Sequence, residues 1–127
     1  SNMKQQKFSV KKRIYSFKYA FNGLRILFKD EHNARIHLFA AICVLTAGIL
    51  LKISTSEWFA VIFAIGIVIA FEAINSSIEN LADFVSPQEH HLIKKVKDLA
   101  AAGVLVSAIS AAIVGLLIFI PRIIQLF

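Results

Sequence analysis

An all-α membrane protein is the fold class this sequence predicts: three transmembrane helices preceded by an amphipathic helix at the membrane surface. Three observations predict it. Of 127 residues, 57% are apolar and only 17% are charged, whereas soluble domains carry about 25% charged residues. Two apolar runs, 36–51 and 99–120, are bounded by Arg35 and Lys52 and by Asp98 and Pro121. A third run, 58–71, reaches the roughly 20 residues that cross a bilayer only if it takes in the polar residues after Phe71. Those residues must then face other helices or a wet cleft, because lipid offers no partner to a polar group. Three helices alone would cover such a stripe poorly, so neighbouring subunits are expected.

One domain is expected over 1–127. Ser1-Asn2 ahead of Met3 reads as a cloning remnant. Residues 8–29 read as the surface helix. Phe17, Phe21, Leu24 and Phe28 share one face, and Lys11, Lys18, Asn22, Arg25 and Lys29 cluster beside it, a pattern that suits the membrane interface. The bland alternative is a soluble helix on a protein core. A polar joint follows from Lys29 to Arg35, then a first membrane helix over 33–52. Ser54-Thr55-Ser56-Glu57 makes an outer turn in which Ser56 is a candidate cap. The second membrane helix covers 57–84, with Trp58 as an aromatic anchor at the outer interface. Ser86-Pro87-Gln88 breaks the chain, and the third membrane helix covers 89–121. Within it Gly103, Ser107, Ala111 and Gly115 recur every four residues, which allows close helix contact.

Charge sets the expected orientation. Nine of the 14 Lys/Arg precede the first span, from Lys4 to Arg35; Lys52 stands alone in the first connection, and Lys94, Lys95 and Lys97 follow the second. The positive-inside rule places the N-terminus and the second connection in the cytoplasm. The net charge of +6 then reads as topology and contact with anionic lipid, not nucleic-acid binding. No signal peptide is expected, since no small-residue cleavage pattern follows the first apolar run. The single cysteine, Cys43, excludes an internal disulfide and suggests no zinc site.

The most telling stretch is the inner half of the second membrane helix. At about 100° per residue, Glu72, Asn75, Ser76, Glu79 and Asp83 fall at roughly 0°, 300°, 40°, 340° and 20°, one polar stripe. At about 1.5 Å per residue Glu72 lies roughly 21 Å, and Glu79 roughly 31 Å, below Trp58, in a hydrocarbon layer about 30 Å thick. A lipid head group and a water-soluble cosubstrate can meet between those levels. Ionisable groups at such depth are costly and mark function. Glu72 suits a general base, or a structural carboxylate paired with a lysine from another helix. Asn75 suits a residue that orients Glu72 or Glu79. Glu79 and Glu31 suit a shared divalent cation, which takes oxygen ligands, though on the residues alone Glu31 reads first as an ordinary surface residue after a helix. Lys97-Asp98 suits phosphate binding or a snorkelling lysine beside an exposed acid. His90-His91, being adjacent, cannot share a helix face as metal ligands, and His32 and His37 read as polar contacts near the interface. No P-loop, kinase glycine-rich loop or G-x-S-x-G pattern is present.

Glu72-x-x-Asn75-Ser76-x-x-Glu79-x-x-x-Asp83, followed by Lys97-Asp98-x-Ala100-Ala101-Ala102, resembles the small bacterial integral-membrane lipid kinases, the prokaryotic diacylglycerol kinases and their undecaprenol kinase relatives. The likeness runs from about Tyr19 to Pro121 and includes Gly23-Leu24-Arg25 and Glu31. It implies a homotrimer in the bacterial cytoplasmic membrane, with the γ-phosphoryl group of ATP passed to a lipid hydroxyl with magnesium. By position it implies Glu72 as proton acceptor and Glu31 and Glu79 as metal-binding acids. It implies ATP contacts at Lys12, Tyr19, Glu31, Glu79, Gln88, Glu89, His90, Lys97 and Asp98, with Asn75 and Ser76 as orienting polar residues. Lys12 stands where the better-known diacylglycerol kinases have Arg, and Ala101 where they have Ser. Residues 53–58, His90-His91 and 97–103 look closer to the undecaprenol kinase branch.

Three function classes follow, of which a non-catalytic membrane interaction module is the least specific and two are definite. One is an ATP-dependent kinase acting on diacylglycerol or undecaprenol at the cytoplasmic leaflet. The other is a small proton-coupled exporter that carries protons on Glu72, which explains the intramembrane acid but not Glu31 or Lys97-Asp98.

Overall fold

A computed structural model describes residues 9–127. Ser1-Asn2, Lys4, Lys7 and the first residue of the expected surface helix, Phe8, lie outside the described residues. The described chain is all-helical: α1 (Val10–Asp30), α2 (His32–Leu50), α3 (Thr55–Val85) and α4 (His91–Leu126). The last three are long and apolar enough to cross a membrane.

Ser9 caps α1, its side chain accepting the Lys12 N–H at 3.3 Å. Every residue from Val10 to Ile26 is exposed, and only Leu27 is buried. The helix therefore docks through its last turn, and the Phe17–Phe21 face is left free. The polar joint expected over 29–35 is far shorter: one extended residue, Glu31, at φ −106° and ψ 113°, separates α1 from α2. Its N–H still bonds back to Leu27 O, so the chain turns without losing that donor.

Between α2 and α3, Lys52 takes a left-handed φ of 53°, which lets Lys52 N–H reach Ile49 O and Ile53 N–H reach Gly48 O. That paired closure ends a helix by satisfying its last carbonyls, usually with Gly at the left-handed position. The cap of α3 is Ser54, not Ser56. Its hydroxyl accepts the Glu57 N–H, and Glu57 Oε1 accepts the Ser54 N–H at 2.8 Å, a reciprocal capping box. Glu57 also pairs with Arg122 of α4. Trp58 packs inward instead of standing as a free anchor: with Val44, Leu45 and Ile65 it lies against the buried cluster of Ile53, Val61 and Ile118. Its ring lies so close over α2 that a Cβ on Gly48 would meet Trp58 Cη2 at 2.7 Å. Gly48→Val is expected to cost about 1–3 kcal/mol through overpacking, read as a lowered Tm in detergent; an unchanged Tm would remove this account of Gly48.

α3 and α4 make the most extensive contact. The small-residue stripe on α4 splits in two. Gly103 meets Phe71 of α3, where a Cβ would come within 3.2 Å of the ring, and Ser107 is buried, while Gly115 has open space beside it. α4 begins at His91, capped by His90, whose Nδ1 accepts the Leu92 N–H. It does not stop at Pro121 but runs through it to Leu126. Proline in a membrane helix is tolerated where neighbours satisfy the freed backbone group. With 31 residues, α3 is roughly 46 Å long, more than the hydrocarbon layer of about 30 Å. Its last turns thus reach past that layer, and the polar stripe runs toward them.

Candidate active site

An unbroken α3 stacks Glu72, Asn75, Ser76 and Glu79 along two turns of one face. Glu72 is only 4% exposed, the sole buried ionisable residue among the described residues. That cover comes from within one chain; no neighbour is needed to hide it. The residue facing it is His37 of α2, whose Nδ1 lies 2.8 Å from Glu72 Oε1. The contact is close but poorly aligned as a hydrogen bond, and neither atom has another hydrogen-bond partner. One turn on, Asn75 Oδ1 is also buried without a donor. A buried polar atom without an aligned partner costs about 1–3 kcal/mol. Three of them, His37 Nδ1, Glu72 Oε1 and Asn75 Oδ1, lie between α2 and α3, a cost that packing alone does not explain. The lysine partner that a purely structural Glu72 would need is absent from its ion pairs among the described residues.

Glu31 reaches the same face of α3 because the single-residue break turns it there. Ser76 Oγ donates to Glu31 Oε1 at 2.9 Å, which joins the α1–α2 corner to the stripe. Glu79 is half-buried, three residues beyond Ser76. Lys97 of α4 pairs with Asp83 of α3 and lies within electrostatic reach of Glu79. The structure thus brings Glu72, Asn75, Ser76, Glu31, Glu79 and Lys97 to one side of α3, in a row from membrane depth to the helix end.

Other residues singled out from the sequence lie apart from that row. Asp98 points with Lys94 to the exposed side of α4, in a pair at 2.7 Å, so consecutive Lys97 and Asp98 serve different faces. His90 is spent on capping α4 and stacks on His91, ring centroids 4.6 Å apart. Gln88 and Glu89 are exposed beside it, and Ser86 Oγ donates to Gln88 O. Lys12 and Tyr19 sit on the exposed length of α1, where Tyr19 stacks on Tyr15.

His37, read from the sequence only as a polar contact near the interface, is the residue whose partner sequence reasoning missed. Its signal was available: one titratable side chain inside an apolar run. It also lines an apolar cavity of about 510 Å³ between α2, α3 and α4, whose other walls include Ala41, Val68, Ala111 and Gly115. The open space beside Gly115 belongs to this cavity. Hence a buried carboxylate, an imidazole and an apolar cavity adjoin within the apolar helices, with further carboxylates and a lysine toward the helix end.

The sequence profile described as prokaryotic diacylglycerol kinase matches residues 18–119. The chain belongs to the prokaryotic diacylglycerol kinase family. As a member it is a lipid kinase, a membrane phosphotransferase that moves a phosphoryl group from ATP to an alcohol group of a lipid. The exporter reading receives no support. Among similar proteins, an undecaprenol kinase of Bacillus subtilis (strain 168) is 37% identical over 84% of this chain and 87% of that protein. A diacylglycerol kinase of Synechocystis sp. is 33% identical over 89% of this chain and 65% of its own length. One of Haemophilus influenzae is 31% identical over 84% and 92%.

Proposed function

We propose that the protein transfers the γ-phosphoryl group of ATP to undecaprenol at the cytoplasmic leaflet, with Glu72 as general base. The observation that carries this is the buried Glu72 carboxylate, paired with no lysine and adjoining, through His37, an apolar cavity between three membrane helices. The polyprenol chain lies along that cavity and its hydroxyl reaches Glu72. The carboxylate takes the hydroxyl proton as the oxygen forms its bond to the γ-phosphorus; the bond from that phosphorus to the β,γ-bridging oxygen breaks, and ADP leaves. Little covalent chemistry is asked of the protein in such a transfer, so positioning and charge neutralisation do most of it. Asn75 and Ser76 orient the groups around Glu72 and Glu31.

Glu31 and Glu79 offer hard carboxylate oxygens on the row between Glu72 and Lys97, which fits magnesium: it is often held by one or two carboxylates plus substrate phosphates. Bound there, the ion neutralises phosphate charge. Lys97 adds a point charge from α4. Lys12, Tyr19, Gln88, Glu89, His90 and Asp98 form the outer ATP-contacting rim, with α1 lying in the membrane interface on its free Phe17–Phe21 face. The N-terminus is cytoplasmic, the membrane is the bacterial inner one, and three copies make the working assembly, which supports that rim from neighbouring chains. Among the relatives, identity to the undecaprenol kinase is the reason for choosing the polyprenol.

The test supplies labelled ATP with undecaprenol and diacylglycerol side by side in the same micelles. The expected result is a kcat/KM for undecaprenol at least about tenfold higher, a difference of roughly 1.4 kcal/mol in transition-state stabilisation. Equal use, or preference for diacylglycerol, would overturn the choice of acceptor.

A further inference from the structure

We infer that His37 is a positioning residue for the phosphoryl transfer: its imidazole holds the Glu72 carboxylate in the orientation that receives the lipid hydroxyl's proton. The inference rests on Glu72 being the base. Three observations lead to it. His37 Nδ1 and Glu72 Oε1 stand 2.8 Å apart with no other partner for either. His37 comes from α2, so it fixes Glu72 from outside the helix that carries it. The same ring lines the apolar cavity, so it touches both the place where the lipid chain lies and the carboxylate that the hydroxyl must find.

The chemistry explains why an imidazole suits this place. A neutral histidine donates one N–H without adding a charge. A lysine would be a fixed cation at the same distance and would hold the carboxylate in an ion pair, which lowers its basicity. A poorly aligned contact in the free enzyme is expected to tighten when substrate fills the site. The Nδ1–H then engages Oε1, and Oε2 is left for the hydroxyl.

The test compares His37→Phe, His37→Asn and His37→Gln, with Glu72→Gln in parallel, all in the full-length protein in lipid micelles. Phenylalanine keeps the ring volume and removes the donor. Asparagine places an amide N–H near the Nδ1 position; glutamine moves it outward to the Nε2 position. Expected for His37→Phe is a fall in kcat of about thirtyfold or more, with the lipid KM changed by less than about threefold. His37→Asn should recover to within about fivefold of the original kcat, and His37→Gln should be the slower of the two amides. His37→Phe at near-original kcat, or Asn no better than Phe, would mean that the ring only fills space and would overturn the assignment. Should His37→Phe fail to fold, the order of the amides decides, and Gln faster than Asn overturns it. An active Glu72→Gln would remove the base itself; an inactive Glu72→Gln beside an active His37→Phe removes only the positioning role.

Discussion

Lipid phosphorylation by the Glu72→Gln protein is expected to fall by about 10²–10⁴-fold, the usual contribution of a positioned general base. Glutamine matches glutamate in volume, so the cover from α2 stays and the protein should keep its size on gel filtration. What changes is the ability to accept a proton. Because Glu72 is buried at 4% exposure beside a histidine, no bulk water stands ready to take its place. The loss should appear in kcat, with the affinity for MgATP nearly unchanged, since the groups proposed to face phosphate lie farther along the stripe. The measurement is a steady-state assay in lipid micelles with both substrates varied. Activity within tenfold of the original would mean that the proton leaves by another route.

Glu79→Gln is expected to raise the magnesium concentration for half-maximal activity by about tenfold or more, because one of only two proposed carboxylate ligands is lost. Glu79 also lies within reach of Lys97, so its neutralisation alters how that lysine meets phosphate. For this reason the magnesium titration is run at several ATP concentrations. A true ligand loss persists when ATP saturates, whereas a displaced lysine is overcome by ATP. A magnesium curve that superimposes on the original at every ATP concentration would exclude Glu79 from metal binding.

The stripe on α3 was legible in the sequence because it needs only one property, helical periodicity, and an unbroken helix preserves it. Glu72, Asn75, Ser76 and Glu79 therefore share a side in the structure as their spacing implies. Glu31 was not legible in the same way. Between Asp30 and His32 it looks like any surface acid, and its turn toward Ser76 depends on a one-residue break whose geometry no periodicity encodes. His37 was harder still, for its meaning is its partner, and that partner is 35 positions away on another helix (72 − 37). Trp58 shows the opposite failure. An aromatic residue at a helix end suits the interface, but Gly48 makes room for it to turn inward. The helix ends followed local chemistry where reciprocal caps exist, at Ser54 with Glu57. At Pro121 a soluble-protein stop signal was overridden inside a membrane helix.

α3 and α4 are fastened at both extremities, by Lys97–Asp83 at one and Arg122–Glu57 at the other. A pair of rods pinned twice cannot slide lengthwise past one another by a turn without breaking both clasps. α2 shares a smaller boundary with α3, and it carries the histidine. The wall that bears the histidine is thus the more lightly held of the two that flank α3.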